Sequence, residues 1–235
     1  MNLIEQAYNQ LYPNKTHNYT FFVKYSGKFK PYNGNIRLYQ NNLTVSFSKN
    51  WRKISKDIRI GLAQSLMVKL FKEKKHTTEM DLYTIFMKNV HLAIPKEKVD
   101  PILEESFTRI NEKFFNNSLE IPNLVWGNDT TRKLGCYEYG SDTITLSSIF
   151  KDENPKLMDY VMYHEMLHKK LKFNSKNGRS HYHTSDFRQM EAAFPDSKSI
   201  EKELQYLASR KARFKTNNNK NNFLKLGKKF IFRNL

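Results

Sequence analysis

Residues 160–173 read YVMYHEMLHKKLKF, and the core His164-Glu165-Met166-Leu167-His168 decides how the chain is to be read. Side chains four residues apart share one face of an α-helix, so His164 and His168 can offer their imidazoles to one metal ion. Glu165 falls one residue on, beside such an ion and not on it. There a carboxylate can take a proton from a water molecule that the ion acidifies. With 7 His in 235 residues, an H-E-x-x-H pattern is expected by chance only about 0.01 times in a chain of this composition. Leu157, Val161, His164, His168 and Leu171 recur at helical spacing, and Met166 and Leu167 inside the motif are apolar. The pattern predicts a helix buried on both sides of the metal. Burying two imidazoles and a carboxylate within one turn is costly unless something pairs them, which argues against a core helix whose histidines are merely hydrogen-bonded.

A catalytic zinc site takes three protein ligands and keeps one position for water. Downstream, His181, His183 and Glu191 are the candidates for the third. His183, Phe187 and Glu191 share a helical face, and about two turns, roughly 12 Å, would separate His183 from Glu191, so the two cannot bind one ion. Whichever is not a ligand would orient one from behind or lie at the surface.

Around the motif the elements read in order. Asp100 as N-cap and Pro101 in the first turn open a helix through Phe107, Ile110, Phe114 and Phe115. Strands are expected at 123–126 and 134–139, then a turn at Gly140-Ser141-Asp142 and a third strand at 143–146. After the zinc helix come a polar loop at 174–180 and helices at about 185–194 and 197–210. This order resembles the SprT-like zinc metallopeptidases, the group of Spartan-type proteases, and their small YgjP-like relatives. The resemblance covers residues from about 100 to 195. It rests on Phe114-Phe115-Asn116 followed by Leu119, on Leu134-Gly135-Cys136-Tyr137 and Thr143-Ile144-Thr145-Leu146, and on the HEMLH motif. His183 follows His168 by fifteen residues, with Phe187 four further on. The resemblance implies a zincin-like α+β fold, an active-site helix packed on a small mixed sheet. It implies Zn²⁺ held by His164, His168 and His183, with Glu165 as general base and His181 and Glu191 either supporting those ligands from behind or serving as alternative ligands. One departure is Thr184, which stands where the family has glycine. Another is the lack of a cysteine-paired zinc ribbon, since Cys136 is the chain's single cysteine.

The formal charge of +17 is unevenly spread. Residues 1–95 hold 15 basic against 5 acidic residues, residues 96–209 hold 16 against 18, and residues 210–235 hold 9 basic and no acidic ones. Basic flanks around a near-neutral centre point to a polyanionic partner, most simply DNA. Three parts are expected: a basic α+β module at 1–95 of unknown role, a SprT-like peptidase domain at 96–210, and a basic tail at 211–235, partly flexible, whose segment 223–232 docks or adds an edge strand. In the first module the pattern predicts a helix at 2–12, a strand at 19–25, a hairpin of 36–39 and 43–47, an amphipathic helix at 53–71 with Lys53, Lys56, Arg59, Lys69 and Lys72 outward, and a helix at 78–90. Phe21, Phe22, Tyr25, Phe29, Tyr32, Tyr39 and Trp51 interleave there with lysines and arginines, which suits backbone tracking and base stacking, although aromatics at strand spacing more often form core than a stacking platform. No internal repeat is evident.

No apolar run approaches the ~20 residues that span a bilayer, and the N-terminus lacks the charged and apolar stretches of an export signal. We therefore expect a cytoplasmic protein, associated with the nucleoid or DNA, with a polypeptide substrate, no membrane contact and a DNA partner. The expected activity is zinc-dependent endopeptidase action on DNA-associated or DNA-crosslinked proteins, with the strand 143–147 bordering the cleft and pairing with extended substrate, and Tyr163, Tyr182 or His181 as oxyanion partner. Two readings stay open beside it: a general intracellular metallopeptidase indifferent to nucleic acid, and a nucleic-acid-binding protein with a structural zinc site.

Overall fold

The computed structural model describes residues 2–176 and 179–218. The described chain forms two compact units, one of Met1–Ile94 with Tyr139–Ser141 and Phe173–His181, the other of the remaining segments from Pro95 onward. Unit one contains α1 (Leu3–Leu11), β1 (Thr20–Ser26), β2 (Gly34–Tyr39), β3 (Asn42–Ser48), a 3-10 turn (Lys49–Lys53), α2 (Lys56–Phe71) and α3 (Thr78–Asn89). A capping box starts α1, where the Asn2 side chain accepts from Ile4 N–H and Glu5 reaches back to Asn2 N–H. Its sheet runs β1-β3-β2, with β1 parallel and β2 antiparallel to the central β3. Leu43, Val45 and Phe47 alternate inward on β3 and pack with Ile4, Tyr8, Trp51, Ile60 and Met67.

The sequence suggests a one-sided amphipathic helix at 53–71, but Ile60 to Ser65, Met67 and Val68 are all buried. The reason is α3, which packs on α2 so closely that a Cβ at Gly61 would overlap the Glu79 carbonyl. Only a residue without a side chain permits that approach.

Unit two contains α4 (Pro101–Phe115), β4 (Asn123–Gly127), β5 (Gly135–Glu138), β6 (Thr143–Ser147), a 3-10 turn (Ser148–Asp152), α5 (Pro155–Leu171), α6 (Ser185–Ala192) and α7 (Ser197–Asn218). Asp100 caps α4 by accepting from the Ile102 and Leu103 N–H groups, and left-handed Asn116 ends it. The Asn111 side chain then holds the outgoing chain through both the N–H and the carbonyl of Leu119. Asn154 caps α5, with Pro155 in its first turn. Every residue from Tyr160 to Lys169 is buried, because α4, α6, α7, β5 and β6 all pack on α5. Unit two is thus an α+β fold with the HEMLH helix laid on a small mixed sheet.

That sheet runs β4-β6-β5. β6 is central, parallel to β4 and antiparallel to β5. The expectation that residues 143–147 pair with substrate therefore fails: both hydrogen-bonding edges of β6 are taken, and the edge strand against α5 is β5. The polar stretch 174–180 also differs from expectation. It contributes the short antiparallel strands β7 (Asn174–Lys176) and β8 (Arg179–His181) of unit one. α7 continues to Asn218, eight residues past its expected end. The tail segment 223–232 lies outside the described residues.

The two units repeat one topology. Each runs helix, strand, edge strand, central strand, 3-10 turn and helix, with the first strand parallel and the second antiparallel to the third. In each, the second helix starts seven residues after the 3-10 turn begins, at Lys56 after Lys49 and at Pro155 after Ser148. With Ser48 set on Ser147, TVSFS at 44–48 falls on TITLS at 143–147, buried Trp51 on buried Phe150, and buried Met67 on buried Met166. The glycines also correspond: Gly34 pairs with Phe47 and meets Leu62 on α2, while Gly135 pairs with Leu146 and meets Val161 on α5. The chain does contain an internal repeat, visible only once the register is known.

Candidate metal centre

α5 brings His164 and His168 to one face, and Nε2 of one lies 3.2 Å from Nε2 of the other. The segment before α6 delivers His183, whose ring centroid is 5.3 Å from that of His164 and 5.0 Å from that of His168. Each of the three can offer one nitrogen such that all three lie within 4.8 Å of one another, close enough to bind one metal ion. Phe187 underlies the group, with its ring 4.7 Å from those of His168 and His183 and 5.0 Å from that of His164. Thr184, in place of the family's glycine, serves as N-cap of α6 and accepts from the Phe187 N–H, which fixes the residue beneath the imidazoles.

The donors are electrically prepared. Burial drives His164 far below its ordinary pKa and His168 down to about 2, with the other imidazoles adding to both shifts. Burial lowers His183 as well, against the pull of Glu191. All three are therefore neutral at pH 7. The 2.6 Å contact between His164 Nδ1 and Glu191 Oε1 is then a hydrogen bond from Nδ1–H to the carboxylate. That bond leaves the lone pair of His164 on Nε2, the atom facing His168. Glu191 thus stands behind a histidine and outside the group that could share an ion, the arrangement by which a carboxylate orients a ligand. His181 is exposed on β8, paired with Asn174, and does not belong to that group among the described residues.

Glu165 is 3% exposed, and burial pushes its pKa up to about 8 against the opposing Tyr137 backbone N–H and the charge of Lys133. β5 shapes its pocket: a methyl group at Gly135 would lie 2.5 Å from Glu165 Oε1 and 2.8 Å from Val161. Tyr163 donates its hydroxyl to the Met190 carbonyl at 2.7 Å, which commits it to tying α6 to α5. Tyr182 packs against the His168 ring, with ring centroids 5.9 Å apart and the planes near perpendicular. Cys136 lies half-buried on β5, its thiol pushed up by burial.

Behind the site is a polar hub that sequence reading takes for a turn. Asp142, fully buried, accepts from Lys169 Nζ at 2.7 and 2.9 Å, from Tyr137 Oη at 2.6 Å and from Lys96 Nζ. Its neighbours hold its pKa below the ordinary value despite burial. The hub joins the last turn of α5 to the strand whose Tyr137 N–H holds Glu165. Gly135 lies within a stretch matched to the family, yet nothing in the sequence says that its missing side chain makes room for a carboxylate.

An HExxH helix on a mixed sheet, with a third imidazole supplied by the following segment, defines unit two as a metal-site scaffold. Residues 103–205 match the SprT-like family, so the chain carries a SprT-like segment. Two solved structures resemble part of it. The metallopeptidase zymogen of Methanocaldococcus jannaschii jannalysin is 19% identical, with a TM-score of 0.36 over 49% of this chain and 99% of that one. The metallopeptidase zymogen of Pyrococcus abyssi abylysin is 20% identical, with a TM-score of 0.32 over 52% of this chain and 99% of that one. No curated protein matches the chain. Among the described residues, no helix is long and apolar enough to cross a membrane.

Proposed function

We propose that the chain is a zinc-dependent endopeptidase in which His164, His168 and His183 hold the ion and Glu165 is the general base. The observation that carries this reading is the convergence of three neutral imidazoles within 4.8 Å beside a buried carboxylate. The donor set fits the metal: three nitrogen ligands with one open position are what a catalytic zinc takes. A structural site would be closed by a fourth protein ligand, and none joins the three among the described residues. When bound, zinc supplies Lewis acidity, which acidifies water and polarises a carbonyl.

The chain's own groups do the rest. Glu191 holds His164 in one tautomer and one orientation. Glu165, with a pKa brought near neutrality, takes the proton of the attacking water and can return it to the leaving amine. An extended polypeptide adds to the outer edge of β5, which lies beside α5, through main-chain hydrogen bonds. The basic flanks, +10 over residues 1–95 and +9 over 210–235, support DNA-associated or DNA-crosslinked proteins as substrates and a cytoplasmic, nucleoid-bound location.

The test is cleavage of an unfolded DNA-binding protein by zinc-loaded wild type and Glu165→Gln, with and without single-stranded DNA. We expect the variant to keep zinc and lose at least ~100-fold in rate, and DNA to stimulate the wild type. Undiminished cleavage by the variant would overturn the hydrolase reading. Cleavage indifferent to DNA would leave a general peptidase.

A further inference from the structure

The repeat raises a question about unit one. Where α5 has His164, Glu165 and His168, α2 has Ser65, Leu66 and Lys69, so the copy keeps the scaffold without the site. Its distinctive chemistry is on the opposite side of its sheet. The helices cover one face, and on the other the alternation of the strands turns Phe22 and Lys24 of β1 and Arg37 and Tyr39 of β2 outward, all four exposed. Phe22 is 42% and Tyr39 59% exposed, large values for aromatic rings on strands. Between them β3 offers only Asn42, Thr44 and Ser46, small polar residues that leave the surface low. None of the outward residues of these three strands is a carboxylate.

The register fixes the layout. Phe22 and Arg37 lie on either side of Thr44 in one row, and Tyr39 lies in the adjacent row, opposite Asn42. The two rings are therefore about 10 Å apart across the sheet and offset by ~7 Å along it. The Arg37 guanidinium stacks over the Tyr39 ring at 5.6 Å. Aromatic rings separated by small residues and flanked by cations form the surface that suits unpaired bases on a phosphate backbone.

The second unit is an internal control. At the positions of Phe22, Lys24, Asn35 and Arg37 it has Asn123, Val125, Cys136 and Glu138. The scaffold needs neither an exposed ring nor a cation there, and in the SprT-like copy an acid takes the place of the arginine. We infer that the open face of the β1-β3-β2 sheet binds single-stranded DNA, with Phe22 and Tyr39 stacking on bases and Arg37 and Lys24 meeting phosphates. The choice of DNA as the strand rests on the DNA-associated reading of the peptidase; the stacking surface does not.

The experiment uses the full-length protein and a labelled twelve-residue oligo-dT, followed by fluorescence anisotropy across a salt series. Phe22→Leu/Tyr39→Leu keeps strand-forming apolar residues but removes both π faces, and we expect roughly 100-fold weaker binding. The dependence on salt should keep its slope, because no charge is lost. Phe22→Tyr/Tyr39→Phe should bind as wild type does. Arg37→Gln should lower the slope by about one. Circular dichroism and melting temperature confirm folding of each variant. The inference is overturned if the double leucine variant, folded, binds like wild type, or if a duplex of equal length binds as tightly as the single strand. Binding through the platform with no effect of DNA on Glu165-dependent cleavage would sink the DNA-linked peptidase reading and leave the platform. DNA-stimulated cleavage that persists with normal binding in the leucine variant would do the reverse.

Discussion

Where α5 places His164, α2 has Ser65; Leu66 stands for Glu165 and Lys69 for His168. Around these positions the two helices are buried alike, with Leu62 matching Val161, Ala63 matching Met162, Met67 matching Met166 and Val68 matching Leu167. Apolar patterning and a shared strand order therefore build the same helix-on-sheet frame whether or not a metal site is mounted on it. The site is a small set of substitutions on that frame, together with groups that support them from behind. Paired changes at matching positions separate what the frame needs from what the site needs.

The largest contrast sits just before the threonines shared by β3 and β6. Unit one has buried Leu43 there, and unit two has buried Asp142 with two lysines and a tyrosine upon it. Asp142→Ala should cost about 3–5 kcal/mol in urea unfolding, since it leaves Lys169 buried without its counter-charge. Leu43→Ala should cost about 2–5 kcal/mol by opening a cavity. Only the Asp142 change should also lower cleavage in protein that remains folded, because Tyr137 reaches both Asp142 and Glu165. Equal activity per folded molecule would show the hub to be a structural device alone.

The two matching glycines give a sharper pair. A methyl group at Gly135 collides with Glu165 and Val161, while one at Gly34 comes no closer than 3.2 Å, to Leu62. On the proposed role of Glu165 as general base, Gly135→Ala should reduce the rate by roughly 100-fold. Gly34→Ala should leave activity unchanged and alter stability by less than ~1 kcal/mol. A fully active Gly135→Ala would mean that the pocket yields and that the glycine does not set the position of the base.

Much of unit two is legible in the sequence because its signals are local. HEMLH fixes a helix, Asp100-Pro101 and Asn154-Pro155 fix helix starts, and the alternation in residues 143–147 fixes a strand. The rest depends on pairing between distant segments. That β6 is central follows from β4 adding in parallel on one side, which no hairpin pattern reveals. Asp142 reads as a turn residue because its partners Lys96 and Lys169 come from far along the chain. Glu191 is one candidate among several until α6 swings it behind His164. The repeat escapes notice because its matches, TVSFS with TITLS and Gly34 with Gly135, are conservative and scattered, while the residues that attract the eye are those the two copies do not share.

Acidity offers another test of the contrast, since Leu66 cannot titrate and Glu165 does. The Glu165 pKa is raised from its ordinary 4.5 to about 8. Its stabilising contribution in the metal-free protein is then complete below 4.5 and disappears as pH rises through 8. The buried histidines are shifted the other way, so their contribution is present above 6.5 and lost on acidification. Between pH 6.5 and 9 the trend belongs to Glu165, and unit two should lose about 2 kcal/mol across that window. Glu165→Gln should abolish the loss. A pH-independent wild type would show that the carboxyl ionises freely despite its burial.

The smallest contrast is the serine shared at the end of the central strand. Both copies bury it, yet the neighbours differ. Ser147 Oγ receives the Thr130 N–H at 3.1 Å and lies 2.7 Å from the Thr130 carbonyl, so it stitches the loop after β4 to the end of β6. It also receives the Ile149 N–H at 3.4 Å and so caps the 3-10 turn. Ser48 Oγ has no hydrogen-bond partner among the described residues. Ser147→Ala leaves a backbone N–H unsatisfied and should cost about 1–2 kcal/mol. Ser48→Ala removes an unpaired buried hydroxyl and should be neutral or slightly stabilising, because desolvating that group gains nothing in the native state. If Ser48→Ala is instead as costly as Ser147→Ala, the serine belongs to the frame in both copies; if the asymmetry holds, only the copy with the histidine cluster uses it.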